Sequence, residues 1–308
     1  MSTTCSRIFS TWHRSSEDNV SLIYRDMDQT ALDFQYNNRA HVSDPQRYLD
    51  WYKTQSEIAR AGVSHVRTTY GPSPAEQLEI FTPAGTQAAD RRPVVVFVHG
   101  GAWQHLSLAS SSFAAEVVTA RGAIYVALGF RRMPEAGSLD TMVRQVRRAL
   151  AWLWRNVGSH GGDPHRLHLI GHSSGAHLSA MAACTEWGLF GLPNGVLRTA
   201  VFISGIYDLE PVRLSFRNDV LKLSVSDAIR NSPCCNLPAE GSPIVVACGE
   251  LETAEFKRQA KEFAQTWKER FGNSQLLELP SLNHYETIET FIDQKSTLSR
   301  TTFELFAI

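Results

Sequence analysis

Gly171-His172-Ser173-Ser174-Gly175 ends the apolar run RLHLIG (166–171) and opens the small-residue run AHLSAMAA (176–183). A nucleophile that must stand clear of a sheet can ride on a strand-to-helix turn so sharp that its neighbours must be nearly free of side chain. Gly171 and Gly175 supply that clearance, and the backbone N–H of Ser174 falls at the helix N-terminus, facing an oxygen of a bound substrate. A five-residue GxSxG match alone is a weak signal. The apolar strand before it and the helix carrying Ala176, Ala180 and Ala183 after it supply the context of a nucleophile elbow. A second segment, FVHGGAWQ (97–104), also leaves an apolar strand. Acyl transfer puts negative charge on the former carbonyl oxygen, and losing one aimed donor costs roughly 3–4 kcal/mol of barrier. Gly101 and Ala102 are the expected oxyanion donors beside Ser174, and His99 is expected to be structural.

A serine at its free pKa needs an imidazole within hydrogen-bond reach, oriented by a carboxylate. Downstream of Ser173 the histidines are His177, one turn into the elbow helix, and His284, in the loop SLNHYET (281–287). His177 is expected to pack or cap; His284 follows the last apolar strand and can reach back over the sheet, so it is the expected base. The acid should leave the preceding strand, IVVACGELETAEF (244–256), which carries Glu250, Glu252 and Glu255. Spacing favours Glu252, because Glu250 adjoins the strand end and Glu255 falls inside the next helix, but it leaves the other two open.

These residues must be held by a scaffold, and the chain carries the pattern of one. Apolar runs at 77–83, 94–100, 123–129, 166–171, 199–204, 244–249 and 276–280 alternate with helical periodicity at 107–121, 139–157, 175–185 and 253–271, and after His284. This predicts an α/β fold with a mostly parallel, doubly wound sheet of about eight strands and helices on both faces. The first run alternates polar and apolar residues, as in a half-exposed edge strand. Ligands in such sheets bind at the carboxyl ends of the strands. Residues 1–62 form an N-terminal extension with a predicted helix at 45–60, capped by Asp44 with Pro45 at the first position; residues 63–308 form a single catalytic domain. The extension, and the long 205–240 segment with a predicted helix at 218–230, read either as a lid over the strand ends or as packed structure.

Over 308 residues the apolar content is 43% and the formal net charge −1, with both signs interleaved. That gives no electrostatic footprint for nucleic acid or an anionic membrane, and a small, roughly neutral ligand is expected. The cysteines Cys5, Cys184, Cys234, Cys235 and Cys248 form no CxxC pair and read as reduced thiols of a cytoplasmic protein. The first nineteen residues lack an apolar core of signal-peptide length, Glu17 and Asp18 argue against a transit peptide, and no run approaches the roughly 20 apolar residues of a membrane span. A homodimer is left open.

Taken together, HGGAW, GHSSGAHLSA, SGIYDLEPV with NSP downstream, CGELETAEFKRQ and LNHYE resemble the arylformamidase (kynurenine formamidase) branch of the α/β-hydrolases, beside the hormone-sensitive-lipase-like esterases. The similarity runs from about residue 90 to the C-terminus, and QYNNRAHV (35–42) is similar to the family's N-terminal region. The resemblance places the acid three residues before the Glu255-Phe256 pair, at Glu252, where the family typically has aspartate; Ala102 likewise replaces a residue that is often tyrosine. It implies hydrolysis of an N-formyl aryl amine, or of an aryl ester, through an acyl-serine without cofactor or metal. Trp103, Tyr207 and Phe256 are the expected pocket aromatics. Rival readings are a metal-dependent hydrolase built on His160, His165, His168, His172 and His177, a non-catalytic binding protein on a hydrolase scaffold, and a broad carboxylesterase or other amide or carbamate hydrolase. The histidine spacings share no one face and no HExxH occurs.

Overall fold

The computed structural model describes residues 21–308. The start of the extension, Cys5 and the nineteen-residue stretch read for targeting signals lie outside the described residues. The strands are β1 (His65–Thr69), β2 (Gln77–Phe81), β3 (Arg92–Val98), β4 (Ile124–Leu128), β5 (Gly162–His172), β6 (Thr199–Ile203), β7 (Ile244–Gly249) and β8 (Ser274–Leu279). The helices begin with α1 (Gln29–Tyr36), α2 (Pro45–Gly62), α3 (Ala115–Thr119), α4 (Leu139–Asn156) and α5 (Ser174–Ala183). They continue with α6 (Glu210–Leu214), α7 (Asn218–Leu221), α8 (Val225–Arg230), α9 (Ala254–Phe271), α10 (Glu286–Glu289) and α11 (Thr297–Phe306).

The strands form one eight-stranded sheet in the order β1-β2-β4-β3-β5-β6-β7-β8. The first two are antiparallel, and β3 to β8 run parallel. Because successive side chains of a strand point to opposite faces, Val94, Val96 and Val98 join one core with Leu150 and Leu178, while Val95 and Phe97 join another with Phe113 and Phe303. A strand covered on both faces is why β3 reads as continuous valine.

Three expectations need correction. The run at 77–83 is not an edge: β1, too charged and short to read as a strand, pairs outside it. The alternation in β2 misleads because Glu79 is fully buried, its carboxylate taken by Arg60, Arg67 and Ser112. The helix expected over 107–121 shrinks to α3 because Ser111 and Ser112 turn their hydroxyls to Ser107 O and Glu79, competing with a helical backbone. The helix expected over 218–230 breaks into α7 and α8 at Lys222, which sits at φ 54°, and Ser224 caps the new start.

In α2, Asp44 accepts from the N–H groups of Gln46 and Arg47, with Pro45 at the first position. Tyr52 and Ala59 bury into the core, and Arg60 pairs with Glu79 at 3.0 Å. The extension is thereby fastened beside the strand ends.

Burial lowers the buried rings of His99, His168 and His177 to about 4 and that of His172 to about 3, from an ordinary 6.5. Between those limits the unfolded chain binds protons that the native protein refuses, so stability falls as pH drops from 6.5 toward 4. Urea midpoints should decrease over that window, and His168→Gln should flatten the dependence. An unchanged slope in that variant would contradict a neutral buried ring.

Candidate active site

At the end of β5 the chain turns into α5 through Ser173, which sits at φ 56° and ψ −126°. Side chains rarely adopt this region, and a residue held there costs on the order of 1–3 kcal/mol. The turn is tight because backbones meet around it. A Cβ on Gly171 would lie 2.4 Å from Gly175 O, and one on Gly175 only 2.2 Å from Val98 O. The Ser173 N–H donates to Ile203 O at 2.9 Å, fixing the turn against β6. Gly175→Ala should therefore lower Tm by several degrees, as overpacking of about 1–3 kcal/mol would in a chain of this size. A thermal melt indistinguishable from wild type would show that the turn has slack.

The Ser173 hydroxyl lies 2.9 Å from His284 Nε2, and His284 Nδ1 lies 2.8 Å from Glu252 Oε2. Of the three carboxylates that spacing left open, Glu252 reaches the imidazole. Glu250 accepts from Ser281 N and Glu255 pairs with Arg258. Glu252 Oε1 is held in turn by the Ser204 hydroxyl at 2.6 Å and Gly249 N–H at 2.7 Å. With Glu252 ionised, Nδ1 carries the ring proton and Nε2 is the lone pair facing Ser173. Ser173, Glu252 and His284 are all buried, so these bonds act in a low dielectric.

Further residues, which sequence reasoning missed, hold the imidazole. His172 Nε2 meets His284 O at 2.9 Å, and Tyr52 OH meets His172 Nδ1 at 2.9 Å. The Thr287 hydroxyl donates to the same carbonyl and lies 2.9 Å from Ser204 Oγ. With His172 lowered to about 3 by burial first and the neighbouring His284 second, the ring is neutral. It donates through Nε2 and accepts from tyrosine. Ser204 lay inside the SGIYDLEP run, whose distinctiveness was visible although its role was not. Tyr52 carried no signal, since its partner is 120 residues away.

The loop after β3 lies directly on the elbow: a Cβ on Gly100 would sit 2.7 Å from His172 O and 3.0 Å from Ser173 Cβ. Gly101 and Ala102 both take positive φ, 98° and 52°. Trp103 N–H donates to Ser174 Oγ at 3.0 Å, tying this loop to α5. Among the described residues none accepts a hydrogen bond from the backbone N–H of Gly101, Ala102 or Ser174. His99 is fully buried and stacked on Phe130 at 4.2 Å. His177 is bound between Trp103 Nε1 and Asn231 O.

A cleft of about 490 Å³ opens over Ser173 and His284, walled by Tyr52 and Arg60 of α2, Gly101 and Ala102, Arg132, Arg217 and Tyr285. Behind Ser173 a recess of about 20 Å³ is lined by Trp103, Phe256, Ile206 and Ala102. Of the expected pocket aromatics, Trp103 and Phe256 line this recess together with Ser173. Tyr207 does not: its ring stacks on Phe263 at 4.3 Å in the core, because its backbone N–H is pinned to Gln259 Oε1. The histidines of the metal reading are dispersed, with His168 on Thr199, His172 on Tyr52 and His177 on Trp103. Among the described residues no group of three or more ligands could hold a metal ion.

A doubly wound, mostly parallel sheet with a serine on a strained strand-to-helix turn defines an α/β-hydrolase. The BD-FAE family matches residues 78–189. Kynurenine formamidase of Salmo salar is 31% identical over 283 residues, covering 88% of this chain and 94% of that protein. Kynurenine formamidase of Danio rerio is 31% identical over 85% of this chain and 86% of its own length. In the fold, a putative thioesterase from silicibacter sp. tm1040 superposes with a TM-score of 0.75 at 24% identity, over 88% of this chain and 98% of that one. The chain belongs to the kynurenine formamidase family and is a hydrolase acting on an ester or amide substrate. Among the described residues no helix is long and apolar enough to cross a membrane.

Proposed function

We propose that this hydrolase works through an acyl-serine on a small aryl amide or ester, first an N-formyl aryl amine of the N-formylkynurenine type. The observation that carries the reading is the unbroken hydrogen-bond chain Ser173–His284–Glu252, 2.9 and 2.8 Å, at the floor of the cleft. Ser173 Oγ attacks the carbonyl carbon as its proton passes to His284 Nε2. Glu252 holds the ring tautomer and stabilises the imidazolium. The oxyanion is received by the N–H groups of Gly101, Ala102 and Ser174, which need no reorganisation when charge develops. The imidazolium returns its proton to the departing amine, breaking the C–N bond, and water repeats the sequence on the acyl-enzyme.

The recess behind Ser173 supports a small acyl group, since its 20 Å³ is little more than the space one water needs. An aryl ester with an equally small acyl group enters the same geometry. The catalytic domain spans 63–308, with the extension supplying one wall. The free thiols Cys184, Cys234, Cys235 and Cys248 support a reducing, cytoplasmic setting.

Ser173→Ala should lower kcat by about a thousandfold or more while the thermal melt stays cooperative. Glu252→Gln should cost on the order of a thousandfold, the scale of a wrongly held imidazole tautomer, and Glu250→Gln little. Wild-type rates in the serine variant would refute the mechanism, and the reverse ranking of the two glutamates would reassign the acid. In a series of p-nitrophenyl esters, kcat/KM should fall by about tenfold or more from acetate to hexanoate. A rise with chain length would sink the small-acyl reading.

A further inference from the structure

Away from the cleft, the adjacent thiols Cys234 and Cys235 form a site of their own: we propose that the pair chelates a thiophilic electrophile of the trivalent arsenical class, which takes two sulfurs from the protein. The inference stands apart from the acyl-transfer reading, since neither residue lines the cleft over Ser173 or the recess behind it.

Neighbouring residues of an extended chain point their side chains to opposite sides. Pro233–Cys235 is instead a turn of 3₁₀ helix, and both thiols leave it free and exposed, with their Sγ atoms 3.7 Å apart. The turn is braced on either side. Cys234 N–H donates to Tyr207 O at 3.1 Å, Cys235 N–H to Ser232 O at 3.0 Å and Asn236 N–H to Pro233 O at 3.1 Å. The Asn236 side-chain amide donates to Ile229 O and Ser232 O, both at 2.8 Å, and the Ser232 hydroxyl ties Leu209 N–H to Ala228 O. The sulfurs are therefore presented from a backbone that is already ordered, which reduces what binding must pay in entropy.

Their separation selects what can bridge them. A disulfide needs sulfurs about 2.05 Å apart, well inside the observed 3.7 Å. One soft atom bonded to both at the roughly 2.3 Å of a metal–thiolate bond leaves them about 3.8 Å apart at tetrahedral angles. Among the described residues no group of three or more His, Cys, Asp or Glu could hold a metal ion, so four-coordinate zinc lacks its remaining ligands. A soft, three-coordinate centre that brings its own third substituent needs only the two thiols, and trivalent arsenic is that centre.

The step balances without redox chemistry. With a hydrated arylarsine oxide, each thiol proton leaves with one arsenic-bound hydroxide as water, two As–O bonds break and two As–S bonds form. Arsenic stays trivalent. Although Cys234 reaches the surface, desolvation by the surrounding turn, and then the neighbouring Cys235, push its thiol pKa up. A thiol kept protonated is a slow partner for a reagent that takes one sulfur. A reagent that takes both gains from a second bond made at high local concentration. Cys184 and Cys248 are buried and offer no competing exposed pair.

Phenylarsine oxide is the probe, added to the reduced full-length protein and read by intact mass and peptide mapping. One phenylarsenic per chain, bridging Cys234 and Cys235, is expected. Cys234→Ser and Cys235→Ser should each weaken binding by about a hundredfold or more, because the second bond is lost, while Cys5→Ser should leave it unchanged. Excess dimercaptopropanol should release the arsenic, and mercaptoethanol at the same thiol concentration should not. No adduct on the wild type, two arsenicals on the pair, an adduct as tight in either serine variant, or one lost in Cys5→Ser overturns the site. The wild-type stoichiometry decides even if a variant folds poorly. Ser173→Ala should bind the probe as wild type does, so failure of this site leaves the hydrolase reading intact, and loss of that reading leaves the site.

Discussion

The site depends on one steric constraint, the meeting of three backbones around Ser173. The end of β5, the loop after β3 and the first turn of α5 approach so closely that no side chain fits at Gly100, Gly171 or Gly175. Ser173 is held at φ 56° by contacts on every side, which is how a strained conformation persists. The same approach brings Gly101 and Ala102 beside Ser173 along the cleft. The strain at Ser173 and the placing of its hydroxyl beside the cleft are therefore aspects of a single packing solution.

The second requirement is that an imidazole more than a hundred residues away arrive with a defined tautomer. Two routes hold it. One runs through Glu252, whose second oxygen is fixed by Ser204 and Gly249. The other runs through the main chain, where His284 O receives both His172 and Thr287. Glu252 follows directly on the strand end, in a turn closed by its backbone N–H on Gly249 O at 3.2 Å. In a buried network every member needs its partner, because an orphaned polar group costs more than the bond contributed.

The extension takes part in both the fold and the cleft. Through Tyr52 it reaches His172 behind the site, through Arg60 it neutralises the buried Glu79, and its outer face forms a wall of the substrate space. Packing and access are thus written on one helix, and Arg39, Arg132 and Arg217 line the same cleft.

Much of this was legible in local pattern. Continuous apolar runs mark buried parallel strands because covering both faces leaves no polar position, and Asp44-Pro45 marks a helix start because the cap and the missing N–H act within one turn. The glycines around Ser173 advertise the elbow because steric exclusion acts between near neighbours. Other features were hidden because their causes are distant in sequence. Glu79 looks like a solvent-facing residue until Arg60, Arg67 and Ser112 surround it, and Tyr207 looks like a pocket aromatic until Phe263 stacks on it. The sequence by itself determined the alternation of strand and helix and the chemistry on offer at Ser173 and His284. Only the tertiary structure decided that Glu252, rather than Glu250 or Glu255, meets the imidazole, and that Arg39, Arg132 and Arg217 line the cleft, because hydrogen-bond partnership and placement depend on distances between segments that local sequence does not encode.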